Sequence, residues 1–215
     1  AGFGVRQVLV GIGGTATTDG GAGAIEALRA ARLVGKQGPL VKLPRLIVLC
    51  DARASWEQAT TVFSPQKGAD ADAVTKLSRR LDALAGELPR DPRATLFTGC
   101  GGGLAGGLWA AAGAELKSGA GVVLDRLNFN ARMTAARAVI TGEGSLDHQT
   151  LLGKAVGEVA TRARQAGVPC HAIVGRRGMT EFEARILDFE TVTEAGTARA
   201  IAAAAERLSD VLAPY

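Results

Sequence analysis

Short, almost unbroken apolar runs alternate along this 215-residue chain with alanine-rich stretches of helical period, and that alternation constrains the fold most. The runs are "QVLVGI" at 7–12, "RLIVLC" at 45–50, "ATLFT" at 94–98, "RAVIT" at 137–141, "PCHAIV" at 169–174 and "FETVT" at 189–193. A strand apolar on both faces has to be covered on both, and intervening helices do this when they cross over between parallel neighbours. The pattern predicts an α/β chain, with parallel or mixed sheets and helices on both faces. Helices are expected over 21–33, 70–87, 104–113, 153–166, 180–187 and 197–212. In 70–87, Val74, Leu77, Leu81 and Leu84 form one apolar stripe, with Lys76, Arg79, Arg80 and Asp82 off it. Asp70 is placed to cap that helix, and Pro89 and Pro92 bar its continuation.

The chain is long enough for one large domain or two small ones. Its style changes near 135: residues 1–134 are glycine-heavy with long connections, whereas 135–215 follow in tight βαβ order, so a domain boundary is expected there. No apolar run is long enough to cross a bilayer, which argues against a membrane partner. The opening "AGFGVRQVLV" lacks the pattern of an export signal, and a cytoplasmic location is expected. Three cysteines, Cys50, Cys100 and Cys170, are widely spaced without a CxxC pair and read as small buried hydrophobes. The net charge of +4 is scattered and aromatic residues make up only 4%, which disfavours nucleic acid and suits a small anionic substrate.

Glycine clusters follow the predicted strands. The first, "GIGGTATTDGGAG" at 11–23, offers positive-φ backbone and close approach to N–H groups ahead of a helix, as an anion cradle would. Thr15, Thr17, Thr18 and Asp19 suit phosphate, magnesium or a hydroxy acid, and they equally suit a helix cap behind a tight turn. The second, "TGCGGGLAGG" at 98–107, fits G-x-G-x-x-G through Gly101, Gly103 and Gly106, with Asp125 at about the spacing of a ribose-binding acid. So glycine-rich a stretch meets that pattern easily.

The third loop, Thr141 to Thr150, would hold Glu143 between Gly142 and Gly144 at the carboxyl end of a strand, where open α/β sheets bind ligands. Asp147, His148 and Gln149 then lead to Gly153 and Lys154 at a helix start. Two carboxylates and an ammonium are the parts phosphoryl transfer needs: metal support, a base for a hydroxyl and neutralisation of phosphate charge. The plainer alternative has Asp147 capping the helix and Lys154 solvated. In "FSPQKGAD", Lys67 could reach phosphates or stay solvated. There is no G-x-x-x-x-G-K-[ST], so a P-loop is disfavoured. Neither His148 nor His171 has a partner at metal-binding or nucleophile-activating spacing.

Taken in order, "GIGGTATTDGGAG", "VFSPQKGAD", "GCGGGLAGGL" and "VITGEGSLDHQTLLGKA" resemble the type I glycerate kinases over essentially the whole chain. That family carries GIGGSATNDGGAG, VFGPQKGA, GGGAAGG and ITGEGxxDxQTxxGK; Thr15 stands where its serine would. The resemblance implies a two-domain α/β body with its active site in an interdomain cleft. The implied reaction is ATP-dependent, magnesium-requiring phosphorylation of D-glycerate, with 2-phosphoglycerate the expected product. It points to Asp19, Glu143, Asp147 and Lys154 as catalytic residues. For substrate and nucleotide it points to Gly13, Gly14, Thr15, Lys67, Gly101, Gly102, Gly103 and Gln149, and for magnesium to Asp19 and Asp147.

The sequence departs from the family at two places. An APDSFKGSLSA-like segment and a DGGEGT motif are absent, so the chain reads as an N-terminally shortened body with one sheet edge left open, which a homodimer would cover. After the run at 45–50, Asp51 is kept, but "ARASWEQATT" replaces the family's Asn-Pro-Leu. A binding or assembly module without turnover is therefore the alternative to a working kinase. A dinucleotide-dependent oxidoreductase, resting on the pattern at 101–106, is a third reading.

Overall fold

The computed structural model of the protein describes residues 4–212, and the chain divides into two compact units, Ala1–Gly119 and Ala120–Tyr215.

In the first unit the elements run β1 (Gln7–Gly11), α1 (Ala22–Ala30), β2 (Val34–Gly35), β3 (Gly38–Pro39), β4 (Arg45–Cys50), α2 (Gln58–Thr61), α3 (Ala71–Glu87), α4 (Leu104–Ala112) and β5 (Glu115–Ser118). The main sheet is parallel in the order β1-β4-β5, and β2 and β3 form a small antiparallel pair. Being central, β4 is the most apolar strand, with Ile47, Val48 and Cys50 all buried. One core cluster groups them with Ile12, Cys100, Ala105 and Leu108. A second forms around Trp56, fully buried between α1, α3 and α4, whose indole N–H donates to Leu81 O at 3.2 Å. Burying so large a ring stabilises by about 3 kcal/mol, provided its N–H finds an acceptor. As the stripe predicts, α3 is an amphipathic surface helix; Asp70 caps it by accepting the Ala73 N–H at 2.8 Å.

The expected strand at 94–98 does not form. Ala94 and Phe97 have positive φ (53° and 73°), and the Thr98 hydroxyl is held among the Pro92 and Thr95 carbonyls, so the segment is a string of turns. Its place beside β4 is taken by β5, whose "ELKS" lacks an apolar run because this is an edge strand. Glu115 there receives a two-pronged hydrogen bond from the Arg45 guanidinium, at 2.6 and 2.8 Å.

In the second unit, α5 (Gly119–Arg126) and α6 (Phe129–Thr134) precede β6 (Val139–Leu146), α7 (His148–Leu151), α8 (Ala155–Ala166), β7 (Cys170–Arg177), α9 (Glu181–Leu187), β8 (Thr191–Glu194) and α10 (Ala198–Leu212). The sheet is parallel, ordered β6-β7-β8. Its core joins Val139, Leu146, Cys170, Ala172 and Val174 to Val156, Ala160 and Ala163 of α8 and to Ala184 and Leu187 of α9. The unit begins ahead of the expected boundary at 134/135 because Arg162 of α8 holds the preceding helices. Its guanidinium donates to Asp125 (2.7 Å), Asn130 (3.1 Å), the Gly121 carbonyl (3.3 Å) and Glu158 (3.0 Å). The strand expected at 137–141 also runs further, to Leu146, so the "ITGEG" motif is strand and not loop.

Edge strands β1 and β6 leave Leu9 and Ile140 about half exposed. Among the described residues no helix is long and apolar enough to cross a membrane. All three cysteines are buried and unbridged; burial pushes the Cys170 thiol up to about 11, which keeps it protonated at neutral pH.

Candidate active site

In the first unit the expected site residues gather where parallel strands end, and in the second they lie within β6 and directly after it. Strands β1 and β4 run side by side, which brings Gly13 and Asp51 together beyond their carboxyl ends, where open α/β sheets take ligands. The chain turns at Gly14 (φ 72°), beside which a Cβ would meet nothing within 4 Å, so its backbone is open. Asp19 lies just ahead of α1, whose N-cap is Gly21: Oδ1 accepts the Gly21 N–H at 3.0 Å, Oδ2 the Gly23 N–H at 3.3 Å and the Asp19 carbonyl the Ala22 N–H at 3.2 Å. The first donors of α1 are thereby taken by Asp19 itself. An anion would instead meet the backbone N–H groups of residues 13–18, which make no backbone hydrogen bond among the described residues.

Lys67 follows a short 3-10 turn, Pro65–Lys67, that ends at Gly68 in the left-handed region. Its ammonium reaches back over the first loop, donating to the Thr17 carbonyl at 2.6 Å and to Thr18 Oγ1 at 3.5 Å. Partial burial lowers its pKa, and the nearby charges of Asp51 and Asp19 oppose that shift. The sequence pairs Lys67 with neither carboxylate, and the loop after the 45–50 strand departs from the family's; the nearness of Asp51 to both Lys67 and Gly13 groups it with them.

Gly101, Gly102 and Gly103 all have positive φ (63°, 65°, 88°), yet they face protein and not open space. A Cβ on Gly102 would run into the Thr17 carbonyl, and one on Gly103 would lie 2.8 Å from Gly20 Cα. One hydrogen bond, Gly20 N–H to Gly102 O at 2.9 Å, joins the two loops. The second glycine loop is thus a platform on which the first one rests. Because 94–98 is not a strand, the G-x-G-x-x-G pattern lacks the strand that a dinucleotide fingerprint follows, and Asp125 is bonded to Arg162.

In the second unit, Glu143 lies within β6, opposite Val174 of β7. Gly142 has no room for a side chain, since a Cβ there would strike the Ile173 carbonyl. Asp147 caps α7 as the plainer alternative expects: Oδ1 accepts the Gln149 N–H at 3.0 Å. Fully buried Thr150 closes the box, its Oγ1 accepting the Asp147 N–H at 3.2 Å and donating to Glu143 Oε1 at 2.6 Å. Lys154 is not merely solvated, because its ammonium donates to Gln149 Oε1 at 2.6 Å. Burial raises the pKa of Glu143 and the charge of Asp147 adds to this, while the Thr150 hydroxyl and Lys154 pull it down.

Asp19, Lys67, Gly13, Gly14 and Thr15 therefore belong to one cluster with the platform glycines, and Glu143, Asp147, Gln149 and Lys154 to another. His148 lies outside the second, exposed and 3.6 Å from Glu183. Buried His171 bonds Thr191 through Nδ1 at 2.9 Å. Thr150, unmarked as a site residue by its sequence context, is what links Glu143 to Asp147. Among the described residues no three acidic, histidine or cysteine side chains gather as a metal cage would require.

Comparison with known proteins places the chain in a family. The model of the family described as "Glycerate kinase family" matches residues 2–47 and 39–213. A glycerate kinase of Halalkalibacterium halodurans is 36% identical, the match covering 81% of this chain and 53% of that protein. The glycerate 2-kinase of Escherichia coli is 32% identical over 80% of this chain and 52% of its own length. A crystal structure provisionally assigned as glycerate kinase 2 of Salmonella typhimurium LT2 superposes with a TM-score of 0.61 at 28% identity, covering 97% of this chain and 63% of that one. The chain spans about half the length of the curated relatives it matches.

Proposed function

The chain belongs to the glycerate kinase family, and from that premise we propose that it takes part in ATP- and Mg2+-dependent phosphorylation of D-glycerate. The observation that carries this reading is Lys67. Its ammonium lies over a loop whose N–H groups at 13–18 make no backbone hydrogen bond among the described residues, so a cation and a row of donors converge at the end of a parallel sheet. Phosphate oxygens need that combination. The glycerate hydroxyl attacks the γ-phosphorus, a new O–P bond forms as the bond to the β-phosphate oxygen breaks, and ADP leaves. A carboxylate must accept the hydroxyl proton, and Glu143 and Asp147 are the candidates in the second unit. Lys154, through Gln149, adds positive charge near them. The name of the Escherichia coli relative favours 2-phosphoglycerate as product.

Asp19 and Asp147 suit magnesium. Each carboxylate spends lone pairs on cap N–H groups but keeps others, and Mg2+ in kinases is commonly held by one or two carboxylates together with substrate phosphates. When bound there, the metal would supply neutralisation of phosphate charge.

The test is ADP release by the purified chain with MgATP, with and without D-glycerate, and identification of the product by phosphorus NMR. Glycerate-dependent ADP and a phosphoglycerate are expected. A folded sample that releases no glycerate-dependent ADP refutes turnover by this chain. The second reading, binding without turnover, rests on Lys67 and the loop at 13–18, which lie in the first unit apart from both candidate bases. Calorimetry that shows ATP binding in a sample without turnover supports it.

A further inference from the structure

The link between Glu143 and Asp147 runs through one hydroxyl. Thr150 is fully buried, and its backbone is fixed from two sides: its N–H donates to the Asp147 carbonyl at 2.9 Å, and its own carbonyl is packed against Gly157 of α8, where a side chain would collide with it. A threonine hydroxyl carries one proton. Because the Asp147 backbone N–H can only donate, it occupies a lone pair of Thr150 Oγ1, and the hydroxyl proton is turned towards Glu143 Oε1, 2.6 Å away. Glu143 Oε2 makes no protein hydrogen bond among the described residues.

We propose that Thr150 is a positioning residue for Glu143: its pinned hydroxyl holds the carboxylate in one rotamer through Oε1, leaving Oε2 for the hydroxyl of the acceptor substrate. The inference rests on the kinase reading for the substrate alone; the Thr150–Glu143 coupling stands or falls separately. A serine retains the coupling. A valine of the same shape loses it, and alanine removes the hydroxyl without setting a methyl against Oε1.

The test is a carbon-13 carboxyl NMR titration of the full chain as wild type, Thr150→Val, Thr150→Ala and Thr150→Ser. The Glu143 resonance is assigned by its loss in Glu143→Gln. Losing a charge-assisted hydrogen bond should raise the Glu143 midpoint by about one pH unit in the Val and Ala variants, while Ser titrates as wild type. Where wild type turns over, the acid limb of kcat should move up in parallel, with KM for ATP unchanged. An unshifted midpoint in the Ala or Val variant overturns the proposal, as does a Ser variant that shifts as far as Ala. Should Val fail to fold, the Ala and Ser comparison decides. A wild type without turnover sinks the kinase reading and leaves the titration result intact.

Discussion

Adding one methyl group to three glycines of the first unit should give three different outcomes, because the structure separates the two costs a Cβ can incur. Gly86 lies exposed near the end of α3, without positive φ and with nothing within 4 Å of an added Cβ. Gly86→Ala should stabilise by about 0.5–1 kcal/mol, since alanine loses less backbone entropy in a helix. Gly113 ends α4 at φ 69°, again with open space around it. Gly113→Ala carries only the left-handed penalty, about 1 kcal/mol. Gly102 has φ 65°, and its Cβ would also overlap the Thr17 carbonyl and lie 2.8 Å from Thr18 Cα. Backbone cannot rotate away as a side-chain tip can, so crowding adds about 1–3 kcal/mol, for a total of about 2–4 kcal/mol. Trp56 and Trp109, the only two tryptophans, both lie in the first unit, so fluorescence in a urea titration follows it. With a slope of about 2 kcal/mol per M, the midpoint should fall by about 1–2 M for Gly102→Ala, fall by about 0.5 M for Gly113→Ala and rise slightly for Gly86→Ala. If Gly102→Ala costs no more than Gly113→Ala, the first loop does not rest on the second, and the platform reading is wrong.

Lys67→Met removes the cation over the first loop and leaves Asp19 and Asp51 without it; calorimetry with ATP should show binding weakened by about tenfold or more, and unchanged affinity would remove Lys67 from the phosphate site. Because Glu143 titrates above its ordinary value, its contribution to stability is fully present below the unfolded pKa and is lost as pH rises through the folded one. Glu143→Gln should therefore match wild type in urea at pH 4 and be the more stable protein at pH 7.5; the reverse order at pH 7.5 would contradict the sign. Arg162→Met should cost about 2–3 kcal/mol by circular dichroism in urea, because it leaves the mostly buried Glu158 carboxylate without its partner and removes the bonds that tie α8 to α5 and α6, while Asp125→Ala, at an exposed carboxylate, should cost under about 1 kcal/mol.

Helix α3 was legible because one face alone is apolar and Asp70 marks its start; both are local signals. Strand β5 was not. As an edge strand it needs no apolar run, and its long-range partner, Arg45, is 70 residues away. The run "ATLFT" misled for the opposite reason: its apolar side chains serve a turn, with Leu96 half exposed and Phe97 packed on the first core from a positive φ. The glycine motifs mark both candidate clusters, yet spacing does not say what a glycine faces. Gly14 faces open space, whereas Gly102 and Gly103 face the neighbouring loop. Thr150 stayed hidden because a threonine in the first turn of a helix is ordinary; only burial and the 2.6 Å contact to Glu143 give it a task.

Of the two aspartates that the motifs single out for chemistry, Asp147 also caps a helix and Asp19 also hydrogen-bonds the start of another, so loss of activity on truncating either would be ambiguous. Asparagine resolves this. Its side-chain oxygen accepts the same N–H, and it caps about as well as aspartate. Asp147→Asn keeps the bond to the Gln149 N–H, and Asp19→Asn keeps the 3.0 Å bond to the Gly21 N–H while giving up the weaker 3.3 Å bond to Gly23. Each Asn variant should unfold within about 0.5 kcal/mol of wild type, and each Ala variant about 1 kcal/mol lower. The charge is gone in both. If these carboxylates serve phosphoryl transfer, Asn and Ala variants lose glycerate-dependent ADP release alike, by about a hundredfold or more, despite their different stabilities. An Asn variant with near wild-type turnover would show that its aspartate serves the helix start and nothing else, and if that variant is Asp147→Asn the proton acceptor has to be Glu143.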